Sequence, residues 1–224
     1  MSPPPAVRTT AAGAGPGPVA VIVLAAGRAE RAGPGHKLLA RDRAGCSMIG
    51  RSVSAALSTR ADHVLAVLGH RADEVGKAIH RDTPPDPRLR PLVCADHAKG
   101  MAHSLRLGVT EAEFLECAAA VICLGDMPLI QAALIDRVVR AWASAPVRPD
   151  AVQPIWRGLP GHPVLWDRRR FGALRMLRGD GGARRLLAEP DMRTLMLEVA
   201  TPAIALDFDT PERVALFERL PAGG

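Results

Sequence analysis

Seven consecutive apolar residues, Val19 to Ala25, run without a polar break into Ala26-Gly27-Arg28-Ala29-Glu30-Arg31-Ala32-Gly33-Pro34-Gly35-His36-Lys37. An apolar run of this kind, rich in Val, Ile and Leu, reads as a strand buried on both faces. The loop behind it carries three glycines that allow positive φ and let backbone N–H groups approach a ligand closely. Arg28, Arg31, His36 and Lys37 are placed to add positive charge around an anion held by that backbone. A phosphate-rich ligand is the expected occupant; a solvated surface loop is the plain alternative.

Two familiar phosphate loops are excluded. A P-loop needs a Ser or Thr directly after its lysine, and Lys37 is followed by Leu38. The dinucleotide fingerprint opens a helix directly after the strand, whereas no helical pattern is expected here before Ser47.

Beyond the loop, strand and helix patterns alternate. Strands are expected at Val19–Ala25, His63–Gly69, Leu89–Ala95, Ala119–Gly125, Ala151–Pro154, His162–Leu165 and Thr194–Val199, with a short one near Ala203–Leu206. Helices are expected at Ser47–Thr59, Ala72–His80, Met101–Phe114, Gln131–Ala143, Asp167–Leu177, Ala183–Leu187 and Pro211–Leu220. This order predicts an α/β fold, a three-layer α/β/α sandwich with a mostly parallel, Rossmann-like sheet and ligands at the carboxyl ends of its strands. Residues 19–220 are expected to form a single domain behind a disordered tail, 1–18, rich in Pro, Gly and Ala. That tail lacks the apolar segment of a signal peptide and no stretch is long enough to span a membrane, so a cytoplasmic protein is expected.

Composition narrows the partners. Aromatic residues make up 3% of the chain, which argues against stacking single-stranded nucleic acid. The net charge of +6 comes from scattered arginines and suits anionic small molecules. Arg168-Arg169-Arg170 reads as a solvated helix start, so neither nucleic acid nor a membrane is expected as a partner. Cys46, Cys94, Cys117 and Cys123 show no zinc spacing; Cys94 and Cys123 are expected as reduced core residues.

An acidic partner for the basic loop follows the fourth strand, in Leu124-Gly125-Asp126-Met127-Pro128. A carboxylate at the carboxyl edge of a buried strand suits a cleft, where it and phosphate oxygens would hold Mg²⁺. A simple turn role for Asp126 is the alternative. In Leu206-Asp207-Phe208-Asp209-Thr210-Pro211-Glu212, Thr210 and Pro211 open a helix, and Asp209 is preferred over Asp207 as a second metal ligand. Gly100-Met101-Ala102-His103-Ser104 opens another helix whose free N–H groups suit an anion or ribose oxygens. His162, Asp180 and Arg184, in the Gly161-His162-Pro163 and Gly179-Asp180-Gly181-Gly182-Ala183-Arg184 motifs, are candidates for an acceptor.

These motifs, in this order, resemble one family. Leu24-Ala25-Ala26-Gly27 with Arg31 and Lys37-Leu38-Leu39 is similar to the L-A-A-G-x-[SG]-x-R-[MF]-G-x-x-K-L-L signature of nucleotidyltransferases related to molybdopterin guanylyltransferase. The later motifs, Gly-His-Pro and Gly-Asp-x-Gly-Ala-Arg above all, resemble the molybdenum cofactor cytidylyltransferases. The resemblance runs from about Val19 to Leu220. It implies transfer of CMP from CTP to the terminal phosphate of the molybdopterin cofactor, with Mg²⁺ as cofactor and pyrophosphate released. By the same resemblance Arg31, Lys37 and Asp126 are the catalytic charges. Leu24, Ala25, Ala26, Gly27, Arg28, Gly100 and Ser104 bind nucleotide, Asp126 and Asp209 bind metal, and His162, Asp180 and Arg184 bind the acceptor. Transient contact with a molybdenum apoenzyme is a further expectation. Ala26 replaces the glycine usual in guanylyl-transferring relatives, which favours cytosine. Ala29, Ala32, Cys94 and His97 depart from the family pattern. Three other readings stay open: a nicotinamide-dependent oxidoreductase of the nicotine blue type, a non-catalytic nucleotide or cofactor carrier, and a transferase acting on a sugar or polyol phosphate.

Overall fold

The computed structural model describes residues 17–27, 36–179 and 183–221. Its centre is β1 (Val19–Ala25), parallel to β2 (His63–Leu68) on one side and to β4 (Ala119–Leu124) on the other. β3 (Leu89–Val93) extends the parallel half beyond β2. On the far side of β4 the chain adds β7 (Val164–Asp167) antiparallel, then β5 (Ala151–Trp156). β5 pairs with the two-residue β6 (Leu159–Pro160) and, in parallel, with β8 (Thr194–Glu198). The order along the sheet is β3-β2-β1-β4-β7-β5-β6, with β8 attached to β5.

Alternate residues of β1 feed two separate cores, which is why the run is apolar throughout. Val19, Val21 and Val23 pack against α1 (Met48–Leu57), α2 (Ala72–Asp82), α4 (Ala132–Ala143) and Phe217 of α7 (Pro211–Glu218). Ala20 and Ile22 pack against α3 (Met101–Phe114), α5 (Phe171–Met176) and Leu186 of α6 (Arg184–Leu187). Helices on both faces of one sheet give the expected three layers.

Several expected boundaries move, each for a local reason. The short strand near Ala203–Leu206 is instead a 3-10 turn over Pro202–Ala205. Pro202 has no N–H for a ladder, and the Thr201 side chain caps the turn by accepting from the Ala203 N–H. The strand expected at His162–Leu165 is β7, two residues later. Pro163 cannot donate, and the N–H groups of Gly161 and His162 go to the carbonyls of Pro154 and Ile204. Asp167 is the last residue of that strand, so the helix expected at Asp167–Leu177 becomes a 3-10 turn over Arg168–Arg170 followed by α5. The segment before Ser47 is not wholly irregular, because Lys37–Leu39 forms a 3-10 turn. The hydrophobic pattern gives no sign of β6; it exists because Arg157 and Gly158, both at positive φ, make a two-residue hairpin turn.

Arg169 and Arg170 pair with Asp150, and Arg169 also with Asp167 and Arg170 with Asp191. This basic run is therefore internal bracing. Cys94, Cys117 and Cys123 are buried free thiols, and burial pushes Cys123 up to about 12. The tail expected at 1–18 lies outside the described residues up to residue 16. No described helix is long and apolar enough to cross a membrane.

Candidate active site

The carboxyl ends of β1 and β4 are tied directly to each other: the Gly125 N–H donates to the Leu24 carbonyl at 2.9 Å. Ser52 Oγ, from α1, donates to the Gly125 carbonyl at 3.0 Å, so the turn holding Asp126 is fixed from two sides. A third tie reaches the chain's end, where the Phe208 N–H donates to the Asp126 carbonyl at 3.0 Å. It brings Leu206–Asp209 across the sheet edge and sets Asp209 beside Asp126.

Lys37 closes the cluster. Its Nζ donates to Asp126 Oδ2 at 2.5 Å and, in a shorter contact, to Asp209 Oδ1. The two carboxylates and the ammonium are mostly buried. Burial opposes the charge on Lys37, but the two carboxylates outweigh it and hold the ammonium above the usual lysine range. Burial is also the largest influence on Asp126 and raises it; Asp209 adds to the rise while Lys37 works against it, and the net shift is upward. Two carboxylates are thus held together around a single cation, drawn from positions 89 and 172 residues away from Lys37. Asp207 faces elsewhere and pairs with Arg213, anchoring the first turn of α7.

Oxygen-only donors suit a hard divalent ion, completed by substrate phosphates. Asp126 and Asp209 supply two such oxygens at one point, so the residues present fit Mg²⁺. Among the described residues no group of three His, Cys, Asp or Glu side chains could hold a metal without that help.

On the β2 side of the cluster, Ala26 is buried and its carbonyl accepts from the His70 N–H at 3.2 Å. The His70 ring stacks on His36, with centroids 5.6 Å apart and planes 15° apart, and His97 lies 6.2 Å from His70. Sequence reasoning counted His36 as positive charge for an anion, and this is corrected. His36 is 6% exposed, and among the described residues neither ring nitrogen meets a partner in hydrogen-bonding geometry. Burial, reinforced by His70 and Arg71, lowers it to about 4, so it is neutral at pH 7. The imidazole stack is invisible in the sequence; positions 36, 70 and 97 carry no common spacing signal.

Gly100 opens α3 at φ 114, a conformation suited to glycine, and Ser104 is buried in the first turn. The Ala102 N–H donates to the Gly179 carbonyl, so the Gly179 motif meets the start of α3. On the β7 side, His162 Nδ1 stands 3.4 Å from the Ile122 carbonyl, and Arg184 is close enough for its charge to act on the ring. The structure therefore brings together Lys37, Asp126 and Asp209, with the end of β1 at Leu24 tied to the Asp126 turn, and sets the Arg184 charge near His162. Arg28, Arg31 and Asp180 lie outside the described residues.

By its family and fold the chain is a nucleotidyltransferase. The chain belongs to the MobA-like NTP transferase domain family, whose profile matches residues 21–194. It is 33% identical over 201 residues to the purine catabolism protein PucB of Bacillus subtilis, covering 88% of this chain and 95% of that protein. Two solved structures share the fold. Rv0371c of Mycobacterium tuberculosis superposes with a TM-score of 0.76 at 24% identity, covering 90% of this chain and 97% of that one. It is also known in complex with manganese. A nucleotidyl transferase of Methanothermobacter thermautotroptrophicus gives 0.72 at 22% identity, covering 89% and 95%.

Proposed function

We propose that the protein transfers CMP from CTP to the terminal phosphate of the molybdopterin cofactor, releasing pyrophosphate in a Mg²⁺-dependent reaction in the cytoplasm. The observation that carries the transfer chemistry is the Lys37 ammonium lodged between Asp126 and Asp209. The choice of CTP and molybdopterin rests on the Ala26, Gly161-His162-Pro163 and Gly179-Asp180 motifs.

Two anions must be brought together, and negative charge grows on the leaving pyrophosphate. Such transfers need positioning and charge stabilisation more than covalent help. Asp126 and Asp209 would hold the Mg²⁺, which when bound would neutralise negative charge on the substrate phosphates. Lys37, already forced to stay charged by its two partners, offsets charge on the same phosphates. Arg28 and Arg31 would add to it from the glycine loop. Gly27 leaves the backbone N–H groups approachable, and Gly100 and Ser104 meet the ribose and base. His162, Asp180 and Arg184 orient the acceptor.

The test is incubation with each of the four ribonucleoside triphosphates, Mg²⁺ and molybdopterin. Pyrophosphate release is expected to be fastest with CTP and to require the pterin. NADPH oxidation with no pyrophosphate release would instead support the oxidoreductase reading, and tight CTP binding without turnover a carrier. Transient contact with a molybdenum apoenzyme belongs to the same proposal. A second reading comes from the similarity to a protein named for purine catabolism: the product would then serve an enzyme of purine breakdown.

A further inference from the structure

The register of β4 against β7 ends at Ile122 opposite Val164, near the carboxyl end of β4, and the His162 ring reaches the Ile122 carbonyl there. His162 is therefore at the same sheet edge as the charged cluster, one strand further on. One segment clamps both places. The Ile204 carbonyl accepts from the His162 N–H at 2.9 Å, and four residues later the Phe208 N–H donates to the Asp126 carbonyl. Gly161 allows this contact, because a Cβ there would stand 2.0 Å from the Ile204 carbonyl oxygen.

The ring's protonation follows from its partner. A carbonyl oxygen only accepts, so Nδ1 facing Ile122 at 3.4 Å carries the hydrogen and Nε2 keeps its lone pair. Nε2 has no partner among the described residues and is not one of the buried unpaired atoms, so it is open to a ligand. Burial, then Arg184, favours the neutral ring; Arg184 is the charged group that bears on it from the elements around it. Arg184 is exposed and makes no ion pair among the described residues, leaving its guanidinium for a substrate anion.

We propose that His162 is a catalytic residue, the proton acceptor for an acceptor substrate that arrives as a phosphate monoester in its singly protonated form, with Arg184 binding the same phosphate. This rests on the transferase reading and adds a base to it. The P–O–H proton moves to Nε2 as that oxygen forms a bond to the α-phosphorus of the nucleotide. The bond from the α-phosphorus to the bridging oxygen breaks, and pyrophosphate leaves with its electron pair. The imidazolium then returns its proton to water, and nothing is oxidised or reduced.

The experiment compares the wild type with His162→Gln, which keeps a hydrogen-bond acceptor but cannot take the proton. Single-turnover transfer from CTP to molybdopterin is measured with Mg²⁺ from pH 5.5 to 8.5. CTP affinity is expected to stay within about twofold. Transfer is expected to fall about 100-fold or more at the acid end, the lower range for a lost acid–base group. The deficit shrinks toward high pH, where a phosphate with a second pKa near 6 has already lost its proton. A deficit equal at all pH values, or none, would overturn the proposal. Should His162→Gln not fold, His162→Asn replaces it. Absence of turnover by the wild type with any triphosphate would count against the transferase reading instead. The role of His162 is then decided by nitrogen-15 NMR of the histidine rings: a neutral ring protonated on Nδ1 at pH 6.5 supports it, and an imidazolium or a ring protonated on Nε2 overturns it.

Discussion

The buried carboxylate of Asp126 opposes stability and serves function. The raised pKa of Asp126 means that burial penalises its charged form, so the carboxylate costs the fold stability at neutral pH. Asp126→Asn is therefore expected to leave the thermal midpoint of the ligand-free protein unchanged or raise it, while abolishing metal-dependent turnover. A drop of several degrees would contradict this account. Lys37→Ala is expected to lower kcat by about 10²- to 10³-fold, the scale for losing one preorganised charge-stabilising group, with a smaller change in CTP affinity. Single-turnover kinetics separates the two. His36 gives the pH dependence. Its folded pKa of about 4 lies below the ordinary 6.5, so the unfolded chain takes up a proton that the folded one refuses. The stability this group contributes is present above pH 6.5 and is lost as pH falls through about 4. His36→Gln should flatten that part of a melting-temperature profile measured from pH 7 to 4. The charged cluster was legible from residue type and strand position; the neutrality of His36 was not, since it depends on burial against a ring 34 positions away.

At the scale of elements, the site is built by loops that answer to one another. The Pro202–Asp209 segment is the clearest case, since it touches Gly161-His162 at one end and Asp126 at the other. Gly161→Ala drives a Cβ into the Ile204 carbonyl and is expected to cost about 1–3 kcal/mol, as overpacking does. Because Ile204 leads on to Asp209, turnover should fall even below the melting transition. Urea unfolding and an activity assay at 25 °C check the two effects separately. The long elements were readable in advance: α3 at Met101–Phe114 and β1 at Val19–Ala25 lie where their apolar patterns put them. Shorter ones were not. Ala203 and Ile204 look like strand residues because they are buried, but Pro202 and the Thr201 cap settle them as a turn. β6 depends on two positive-φ residues and on no hydrophobic pattern.

Taken whole, the molecule is a parallel half-sheet, β3-β2-β1-β4, extended by an antiparallel and parallel flank, β7-β5-β8. The Leu24-Ala25-Ala26-Gly27 motif and Asp126 lie at the ends of strands of the parallel half, and Gly161-His162-Pro163 leads into the flank. Alternation of strand and helix patterns foretold the layers, because each layer's burial writes its own period into the chain. It did not foretell that β7 runs antiparallel, a matter of connection length and of the tie between His162 and Ile204. The convergence of Lys37, Asp126 and Asp209, foreshadowed by residue type, is made by the closed fold. It is tested most directly by the affinity of Mn²⁺ in the ternary complex with CTP, measured by water-proton relaxation for the wild type, Asp126→Asn and Asp209→Asn. Each variant is expected to bind Mn²⁺ at least tenfold more weakly, about 1.4 kcal/mol. Wild-type affinity in both would contradict the claim that these two carboxylates hold the metal on the nucleotide.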